Sequence, residues 1–242
     1  MKFAVGQSMA RVEDKRFVTG SGCYSDDIMP GEGLRVAFLR APYAHAVLRS
    51  LDCSAAESAP GVRLVASQVD LDADQVGDIH CQLQIENFDG SKMPMTTKPA
   101  MVRDINRYAG DIVAMVVADT QTEADDAVEM IIASFESLPS VTDVYAAMAD
   151  GAPRLYDCYK NNVVFDWHAG NHAAADAAFE LAKQKQWQQV DLDVVNNRVV
   201  INSIEMRPIL ASPGVTEDSL EIWCGTQGPV GLAEQISTAL SL

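Results

Sequence analysis

The clearest pattern of apolar and polar positions lies near the middle of the chain. Ile112–Ala118 (IVAMVVA) is an unbroken apolar run of strand length, which is typical of a strand covered on both faces. Thr120 and Glu123 then have the spacing of a capping box at the start of a helix. One face of that helix is marked by Ala124, Ala127, Val128 and Ile131. Residues 131–139 (IIASFESLP) follow with the composition of a strand, so we predict a strand–helix–strand unit.

Weaker patterns on either side predict further elements. The strands expected from apolar runs or alternation lie at residues 34–39, 47–51, 62–67, 163–170, 190–194 and 220–224. A short helix is expected over 52–59, and a longer one where Ala175, Ala178, Phe179 and Ala182 recur at helical spacing. The first segment, to about residue 30, contains Gly20 and Gly22 among other turn formers and ends at Pro30-Gly31, which predicts an extended leader.

Residues 143–162 contain Asp150-Gly151 and Pro153 between two periodic regions, and they are the best candidate for a linker. The mixed order of strands and helices indicates the α+β class. We therefore predict a first domain over 1–142, a linker over 143–162 and a second domain over 163–242.

Composition narrows the class of protein. With 242 residues, 48% hydrophobic and 21% charged, the chain is expected to be globular. A formal net charge of −16 argues against nucleic acid or an anionic membrane as a partner. The five cysteines are odd in number and form no CxxC, so reduced thiols are expected. Because the N-terminus has no apolar signal segment and no run approaches the roughly 20 residues of a membrane span, we expect a cytoplasmic protein.

Most of the candidate catalytic and binding motifs in the sequence are weak. His168 and His172 are four residues apart, but Gly170-Asn171 prevents them from sharing a helix face, so a metal site is not expected. The glycines at 20 and 22 lack the pattern of a phosphate-binding loop, and no G-x-S-x-G motif is present. The residues alone predict a soluble α+β protein without a visible catalytic set.

One position near the C-terminus stands out. The segment EIWCGTQGP places Gln227 in a turn, residues 225–228, between the strand at 220–224 and a helix that begins with Pro229. The apolar face expected for this helix consists of Val230, Ala233, Ile236 and Leu240. The Gln227 amide can donate a hydrogen bond without adding charge. Its simplest alternative role is to bond the backbone of its own turn.

Several long motifs resemble one enzyme family, in its order and over nearly the whole chain. They are VGQSMARVEDKRFVTGSGCYSDDI, VAFLRAPYAHAVL, VRDINRYAGDIVAMVVADTQTEADDAVEMIIASFESLPSVTD, NSIEMRPILA and LEIWCGTQGP. They resemble the amino-terminal part of the molybdenum-binding large subunit of the xanthine dehydrogenase/aldehyde oxidase family, and carbon monoxide dehydrogenase and related bacterial hydroxylases are the most similar members.

This resemblance implies an α/β hammerhead domain followed by the start of a molybdopterin-binding domain. It implies oxidative hydroxylation of a carbon centre, or oxidation of carbon monoxide, at a molybdopterin cofactor of dinucleotide form. It also implies FAD and 2Fe-2S centres on partner subunits, and a glutamate base. In the family's T-Q-G-P motif the glutamine donates a hydrogen bond to an oxo ligand of molybdenum, and Gln227 matches that position.

The chain also departs from the family pattern. Family large subunits are several times longer, and their glycine-rich cofactor segment, substrate-selecting loop and glutamate base lie beyond the part that this chain matches. Family members often have E-P-R where residues 205–207 read Glu-Met-Arg, a difference that we interpret as structural. We therefore expect a piece of a molybdenum hydroxylase that is inactive alone, completed by the missing part of the large subunit. The alternative is a non-catalytic hammerhead module that acts in subunit interaction.

Overall fold

The structure, a computed structural model, describes residues 6–28, 33–197, 199–203, 207–216 and 218–242. In chain order the elements of these residues are α1 (Asp14–Val18), a 3-10 turn (Ser25–Asp27), β1 (Arg35–Arg40), β2 (Ala46–Asp52), α2 (Ser54–Glu57), β3 (Val62–Ser67), α3 (Gln68–Ala73), β4 (Ile79–His80), β5 (Thr97–Lys98), β6 (Ile105–Asn106), β7 (Ile112–Ala118), α4 (Gln121–Glu129), β8 (Ile132–Ser137), α5 (Val144–Met148), α6 (His172–Gln184), β9 (Ile209–Pro213), β10 (Leu220–Cys224) and α7 (Pro229–Leu240). The mixture of helices and antiparallel strands confirms the α+β class.

The chain divides into two compact units. One contains residues 1–33, 203–237 and 242, and the other contains residues 34–202 and 238–241. The interval 143–162 lies inside the second unit, and the domain boundary that the sequence indicates there stays a prediction. No helix in the described ranges is long and apolar enough to cross a membrane.

The second unit is built on two antiparallel three-stranded sheets. Their strand orders are β1-β7-β3 and β6-β2-β8. The predicted strand–helix–strand unit is present as β7, α4 and β8, but β7 and β8 belong to different sheets. The apolar run of β7 therefore occupies the centre of an antiparallel sheet, where both edges of the strand are paired.

The core of this unit lies between β7 and α4. Ala114, Val116 and Ala118 of β7 and Ala124 and Ala127 of α4 are buried. Small side chains on both elements let the helix approach the sheet closely. Thr120 caps α4 as predicted, because the Glu123 backbone N–H donates to Thr120 Oγ1 at 3.2 Å. The Glu123 carboxylate accepts from the Thr120 hydroxyl at 2.7 Å, so the reciprocal half of the predicted capping box is replaced by a bond between the two side chains.

The opposite face of β7 is covered only at its start. Val113 is buried against Leu48 and Phe135, which lie on strands of the second sheet. Farther along this face, the neighbouring Val36 and Phe38 of β1 are largely exposed. The expectation of a strand covered on both faces is therefore confirmed on the helix side and holds on the other side only near Val113.

Two predicted strands are absent. Residues 163–170 and 190–194 have strand patterns, yet neither forms a ladder with any described residue. The first is joined only to the loop at Asn87 and Phe88, since the Phe88 N–H donates to the Asp166 carbonyl oxygen and the Asp166 N–H to Asn87 Oδ1, both at 2.8 Å. An alternating pattern suits a segment to a β-sheet, but a strand forms only when a second strand hydrogen-bonds to it.

The leader is also less extended than its composition indicates. Asp14 accepts hydrogen bonds from the backbone and side chain of Arg11, which closes the turn that leads into α1. Thr19 Oγ1 donates to the Lys15 carbonyl oxygen at the other end. These local hydrogen bonds stabilise a short helix even though turn-forming residues surround it. Pro30-Gly31, Glu205 and Met206 lie outside the described residues.

The interval 143–162 contacts the rest of its unit through specific bonds. Arg107 Nε donates to the Leu155 carbonyl oxygen at 2.8 Å, and its guanidinium lies 4.4 Å from the centre of the Tyr156 ring. Tyr159 is buried, and its hydroxyl donates to the Pro94 carbonyl oxygen at 3.0 Å. Asn162 Nδ2 donates to the carbonyl oxygens of Ala147 and Pro153, which folds the interval back on itself.

Candidate functional site

A β-hairpin and a helix position the turn that contains Gln227. β9 and β10 pair antiparallel in the register Leu220 to Pro213 through Cys224 to Ile209. β10 ends at Cys224 and α7 begins at Pro229, so the predicted strand–turn–helix arrangement is confirmed. Proline suits the first helical position because it has no N–H to leave unpaired. The first helical bond runs from the Leu232 N–H to the Gly228 carbonyl oxygen at 3.0 Å.

Thr226, not Gln227, closes the turn. The Gly228 N–H donates to Thr226 Oγ1 at 3.1 Å. The Gln227 side chain is exposed and forms no hydrogen bond with any residue that the structure describes. The alternative in which Gln227 bonds its own turn backbone therefore does not describe this conformation. Sequence reasoning missed the role of Thr226, although a threonine hydroxyl that accepts from the backbone N–H two residues on is a familiar local hydrogen-bonding pattern.

The two glycines that flank Thr226-Gln227 have open space around them. A Cβ atom added at Gly225 or Gly228 would meet no heavy atom of the chain within 4 Å. Neither glycine has the positive φ that side chains avoid. Neither the packing of the described residues nor the backbone conformation therefore requires glycine here. What the glycines provide is room for a group to approach Gln227 closely.

An apolar groove of about 440 Å³ lies next to the turn. β10 lines it with Leu220, Ile222 and Cys224, and α7 lines it with Leu232 and Ile236 among others. Thr226 and Pro229 also line this groove, which joins it to the turn.

The groove confirms part of the predicted face of α7, because Ala233 and Ile236 line it. Val230 was expected on the apolar face with Ala233, Ile236 and Leu240, but Val230 is 71% exposed. Leu232 and Ile236 are the larger apolar side chains that are partly covered. Val230 therefore lies outside the face that lines the groove, whereas its neighbour Pro229 lines it.

The turn is electrically neutral and the described residues contain no metal-binding cluster. No group of three or more His, Cys, Asp and Glu side chains in the described ranges is placed to hold a metal ion. His168 stacks on Phe88 with 4.2 Å between ring centres, while His172 Nδ1 lies 2.9 Å from Asp176 Oδ2 at the start of α6. The two histidines thus have separate neighbours. All five cysteines are free.

The resolved pKa shifts belong to structural contacts in the other unit. Hydrogen bonds from Arg103, and then from Gln68, lower the pKa of Asp72 to about 2. Burial, together with nearby carboxylates, raises the pKa of the Cys53 thiol. Neither Asp72 nor Cys53 adjoins Gln227 along the chain. The functional group of the turn is therefore the neutral, exposed Gln227 amide, next to the apolar groove.

A family model for the a/b hammerhead domain of aldehyde oxidase and xanthine dehydrogenase matches residues 19–139. The nicotine 6-hydroxylase large subunit of Paenarthrobacter nicotinovorans is 33% identical over 93% of this chain and 26% of its own length. The carbon monoxide dehydrogenase large chain of Afipia carboxidovorans is 29% identical over 93% of this chain and 27% of its own length. The xanthine dehydrogenase molybdenum-binding subunit of Escherichia coli O157:H7 is 29% identical over 61% of this chain and 19% of its own length.

Solved structures agree with these relatives. Quinoline 2-oxidoreductase from Pseudomonas putida 86 covers the whole chain with a TM-score of 0.78 and 31% identity, and 29% of that structure is matched. Carbon monoxide dehydrogenase from Oligotropha carboxidovorans covers 98% of the chain with a TM-score of 0.73 and 26% identity, again over 29% of that structure. The chain thus spans about a quarter of the length of the curated relatives named first. It belongs to the aldehyde oxidase and xanthine dehydrogenase family of molybdenum-enzyme large subunits, and residues 19–139 form the family's α/β hammerhead domain.

Proposed function

We propose that this chain supplies the hammerhead domain and one cofactor contact of a molybdenum hydroxylase. In this proposal Gln227 donates from its side-chain amide to an oxygen acceptor of the molybdopterin cofactor. The supporting observation is that the amide is exposed, has no partner among the described residues and lies between two glycines with open space around them.

The residues at the turn fit such a cofactor. A neutral amide stabilises an electron-rich oxygen without adding charge beside a metal centre, and hydrogen bonds of this kind orient and tune metal ligands. Thr226 and Pro229 hold the backbone of the turn on both sides, so the position of Gln227 is fixed before the cofactor binds. Preorganisation of this type is what makes a single donor effective at a reacting centre.

The bound cofactor would supply the redox chemistry, namely oxidation of a carbon centre or of carbon monoxide. This chain's contribution is binding and orientation through Gln227. The glutamate base, the other cofactor contacts, and the FAD and 2Fe-2S centres would come from the rest of the large subunit and from partner subunits. This division is supported by the extent of the match, which is about a quarter of the first relatives' length.

Metal content and turnover test the proposal. The chain purified alone is expected to contain no stoichiometric molybdenum and to oxidise no aldehyde, purine or carbon monoxide. Co-purified with a polypeptide that corresponds to the remainder of the large subunit, it is expected to contain molybdenum near one atom per chain. Turnover by the isolated chain at the rate of an intact enzyme would refute the proposal, because it would place all catalytic groups within these residues.

A second candidate is a non-catalytic hammerhead module that acts in subunit interaction. It is favoured by the exposed apolar side chains on the sheet β1-β7-β3, where Val36, Phe38 and Leu64 face away from α4. The two candidates differ in one measurement. A stable complex with partner subunits that never acquires molybdenum would favour the module.

A further inference from the structure

A pocket of about 330 Å³ lies in the second compact unit, and every residue that lines it belongs to that unit. Its volume is at the lower end of the range for pockets that bind small molecules. Residues on or next to β4, β5 and β6 line the pocket together with Tyr156 of the interval 143–162. Because Arg107 also lines it, we call it the Arg107 pocket.

Alternate residues on and around β6 face the same way. Arg103, Ile105 and Arg107 all line the pocket, as expected when every second residue of an extended segment lies on one face. Asn106 is fully buried instead, and its Nδ2 donates to the Tyr43 carbonyl oxygen at 2.5 Å. The strand thus contributes two arginines to one pocket.

The charge of Arg103 is compensated within the chain. Its guanidinium donates to the Asp72 carboxylate at 2.9 and 2.7 Å and to Asp78 Oδ1 at 3.2 Å. The other oxygen of Asp78 accepts from Thr97 Oγ1 at 2.8 Å. These bonds hold Arg103, Asp78 and Thr97 in place without a ligand, so this side of the pocket is already formed.

Arg107 differs from Arg103, because no carboxylate of the described residues neutralises it. Its Nε donates to the Leu155 carbonyl oxygen at 2.8 Å and its Nη1 to that of Ile105 at 3.3 Å, and the centre of the Tyr156 ring is 4.4 Å away. All three partners are neutral, and Nη2 bonds none of the described residues. Arg107 is half-buried, whereas Arg103 is exposed. A partly desolvated guanidinium with an unused donor is stabilised by an anion.

The surroundings of Arg107 indicate which anion fits. The planar fork of a guanidinium matches the oxygens of a carboxylate or a phosphate. Pro99, Ile105 and the ring of Tyr156 add apolar surface, which an inorganic ion would not use. Asp104 also lines the pocket and pairs with none of the described residues, so its charge opposes further negative charge in a ligand. One carboxylate on an apolar body therefore fits better than a doubly charged phosphate.

We propose that the Arg107 pocket binds a small organic monocarboxylate. Arg107 holds the carboxylate, and the apolar body of the ligand lies against Pro99, Ile105 and Tyr156. The site uses no residue of the turn at Gln227 and no molybdenum, so it stands or falls separately from the proposed function. Because Tyr156 belongs to the interval 143–162, the ligand also holds this interval to the rest of its unit.

Benzoate is the probe, and benzamide, which has the same shape without the charge, is the matched control. Binding to the purified chain is followed by NMR titration at low ionic strength, in a buffer without carboxylate or phosphate. Benzoate should bind with a dissociation constant of about 1 mM and shift the amide signals of Ile105, Arg107 and Tyr156. Benzamide should bind at least about tenfold more weakly, because hydrogen bonds between charged groups are the stronger ones. Inorganic phosphate should also bind more weakly than benzoate.

Hydrogen exchange provides an independent measurement. The Leu155 N–H donates to Asn162 Oδ1 at 3.0 Å within the interval that the ligand holds. At ten times its dissociation constant, benzoate should slow exchange of this amide about tenfold, because a ligand that binds only the closed state stabilises it. Benzamide at the same concentration should change the exchange rate much less.

Two charge variants are expected to act in opposite directions. Arg107→Gln should weaken benzoate binding about tenfold or more. Asp104→Asn should tighten it about two- to fivefold, since it removes one exposed repulsive charge, and a variant that only disturbed the fold would not bind more tightly. Arg154→Gln is the control for loss of a positive charge in the same unit, because Arg154 does not line the pocket.

Three results would overturn the proposal. Equal binding of benzoate and benzamide would remove the role of the Arg107 charge, and tighter binding of phosphate than of benzoate would contradict the carboxylate assignment. Benzoate binding should also persist in the assembled enzyme, because residues of this chain line the pocket. Its loss on assembly would mean that another polypeptide neutralises Arg107.

Discussion

Arg107 links the predicted linker to the body of its unit, and its removal offers a quantitative test of that link. The Nε atom donates to the Leu155 carbonyl oxygen at 2.8 Å, and the guanidinium lies 4.4 Å from the centre of the Tyr156 ring. No acidic side chain pairs with Arg107 in the described ranges, so these contacts account for most of its interactions. Its Nη1 also donates to the Ile105 carbonyl oxygen at 3.3 Å. Arg107→Ala removes all three contacts, and the two with Leu155 and Tyr156 are those that reach the interval.

The expected cost follows from these two contacts. A hydrogen bond from a charged donor contributes about 1.5–3 kcal/mol, and a cation–π contact at a partly exposed site about 0.5–1 kcal/mol. Arg107→Ala should therefore lower the free energy of local opening around residues 153–159 by about 2–4 kcal/mol. Opening would become roughly 30- to 1,000-fold more frequent, limited by the stability of the whole unit.

Hydrogen exchange of the Leu155 amide is the direct assay, because its N–H donates to Asn162 Oδ1 at 3.0 Å within this interval. Limited proteolysis should agree, with first cleavage between 143 and 162 becoming faster in the variant. Arg154→Ala is the control, since its ion pair with Asp157 is exposed and contributes little. Equal exchange rates at Leu155 in wild type and Arg107→Ala would refute this account of the interval.

Three further predictions concern the core, acid stability and the glycines of the turn. Val116→Ala should lower the free energy of unfolding in urea by about 2–3 kcal/mol, because two buried methyl groups are lost and a cavity remains, while Val69→Ala at an exposed position should cost almost nothing. The pKa of Asp72 is lowered to about 2, so its contribution to stability is complete above about pH 4 and is lost as the pH falls towards 2. Asp72→Asn should therefore reduce the slope of melting temperature against pH between pH 4 and 2. An unchanged slope would contradict the ion pair with Arg103. Gly225→Ala should not lower the melting temperature of the chain, since its Cβ meets nothing, but it should reduce molybdenum content in the assembled enzyme.

The sequence predicts best where local and tertiary signals agree. β7 and α4 follow from an apolar run, a capping box and one alanine-rich helix face, and all three have a counterpart in the structure. What it does not predict is that β7 and β8 belong to separate sheets, because the sheet that a strand joins is decided by distant partners. The strand–turn–helix at Gln227 was likewise predictable from Pro229 and the flanking patterns.

The failures have a common physical cause. Residues 163–170 and 190–194 alternate as strands do, but a strand depends on hydrogen bonds to another segment, and none of the described residues forms a ladder with them. The exposure of Val230 on α7 was missed for a related reason, since which apolar residues of a short helix are covered depends on what packs against it. The role of Gln227 stays a prediction. Its side-chain amide bonds none of the described residues, so neither the sequence pattern nor the packing identifies the acceptor to which it donates.

The central claim is that the Gln227 amide donates to the molybdenum cofactor, and turnover per bound molybdenum tests it most directly. The measurement compares wild type, Gln227→Ala and Gln227→Glu in the assembled enzyme, with melting temperatures determined in parallel. Both variants should melt like wild type, because the side chain is exposed and bonds no described residue. Loss of one preorganised donor costs about 3 kcal/mol, so turnover per molybdenum should fall on the order of a hundredfold for Gln227→Ala. Gln227→Glu should fall further, since an ionised carboxylate repels an electron-rich oxygen. Unchanged turnover in both variants, at unchanged molybdenum content, would contradict the claim and reduce Gln227 to an exposed turn residue.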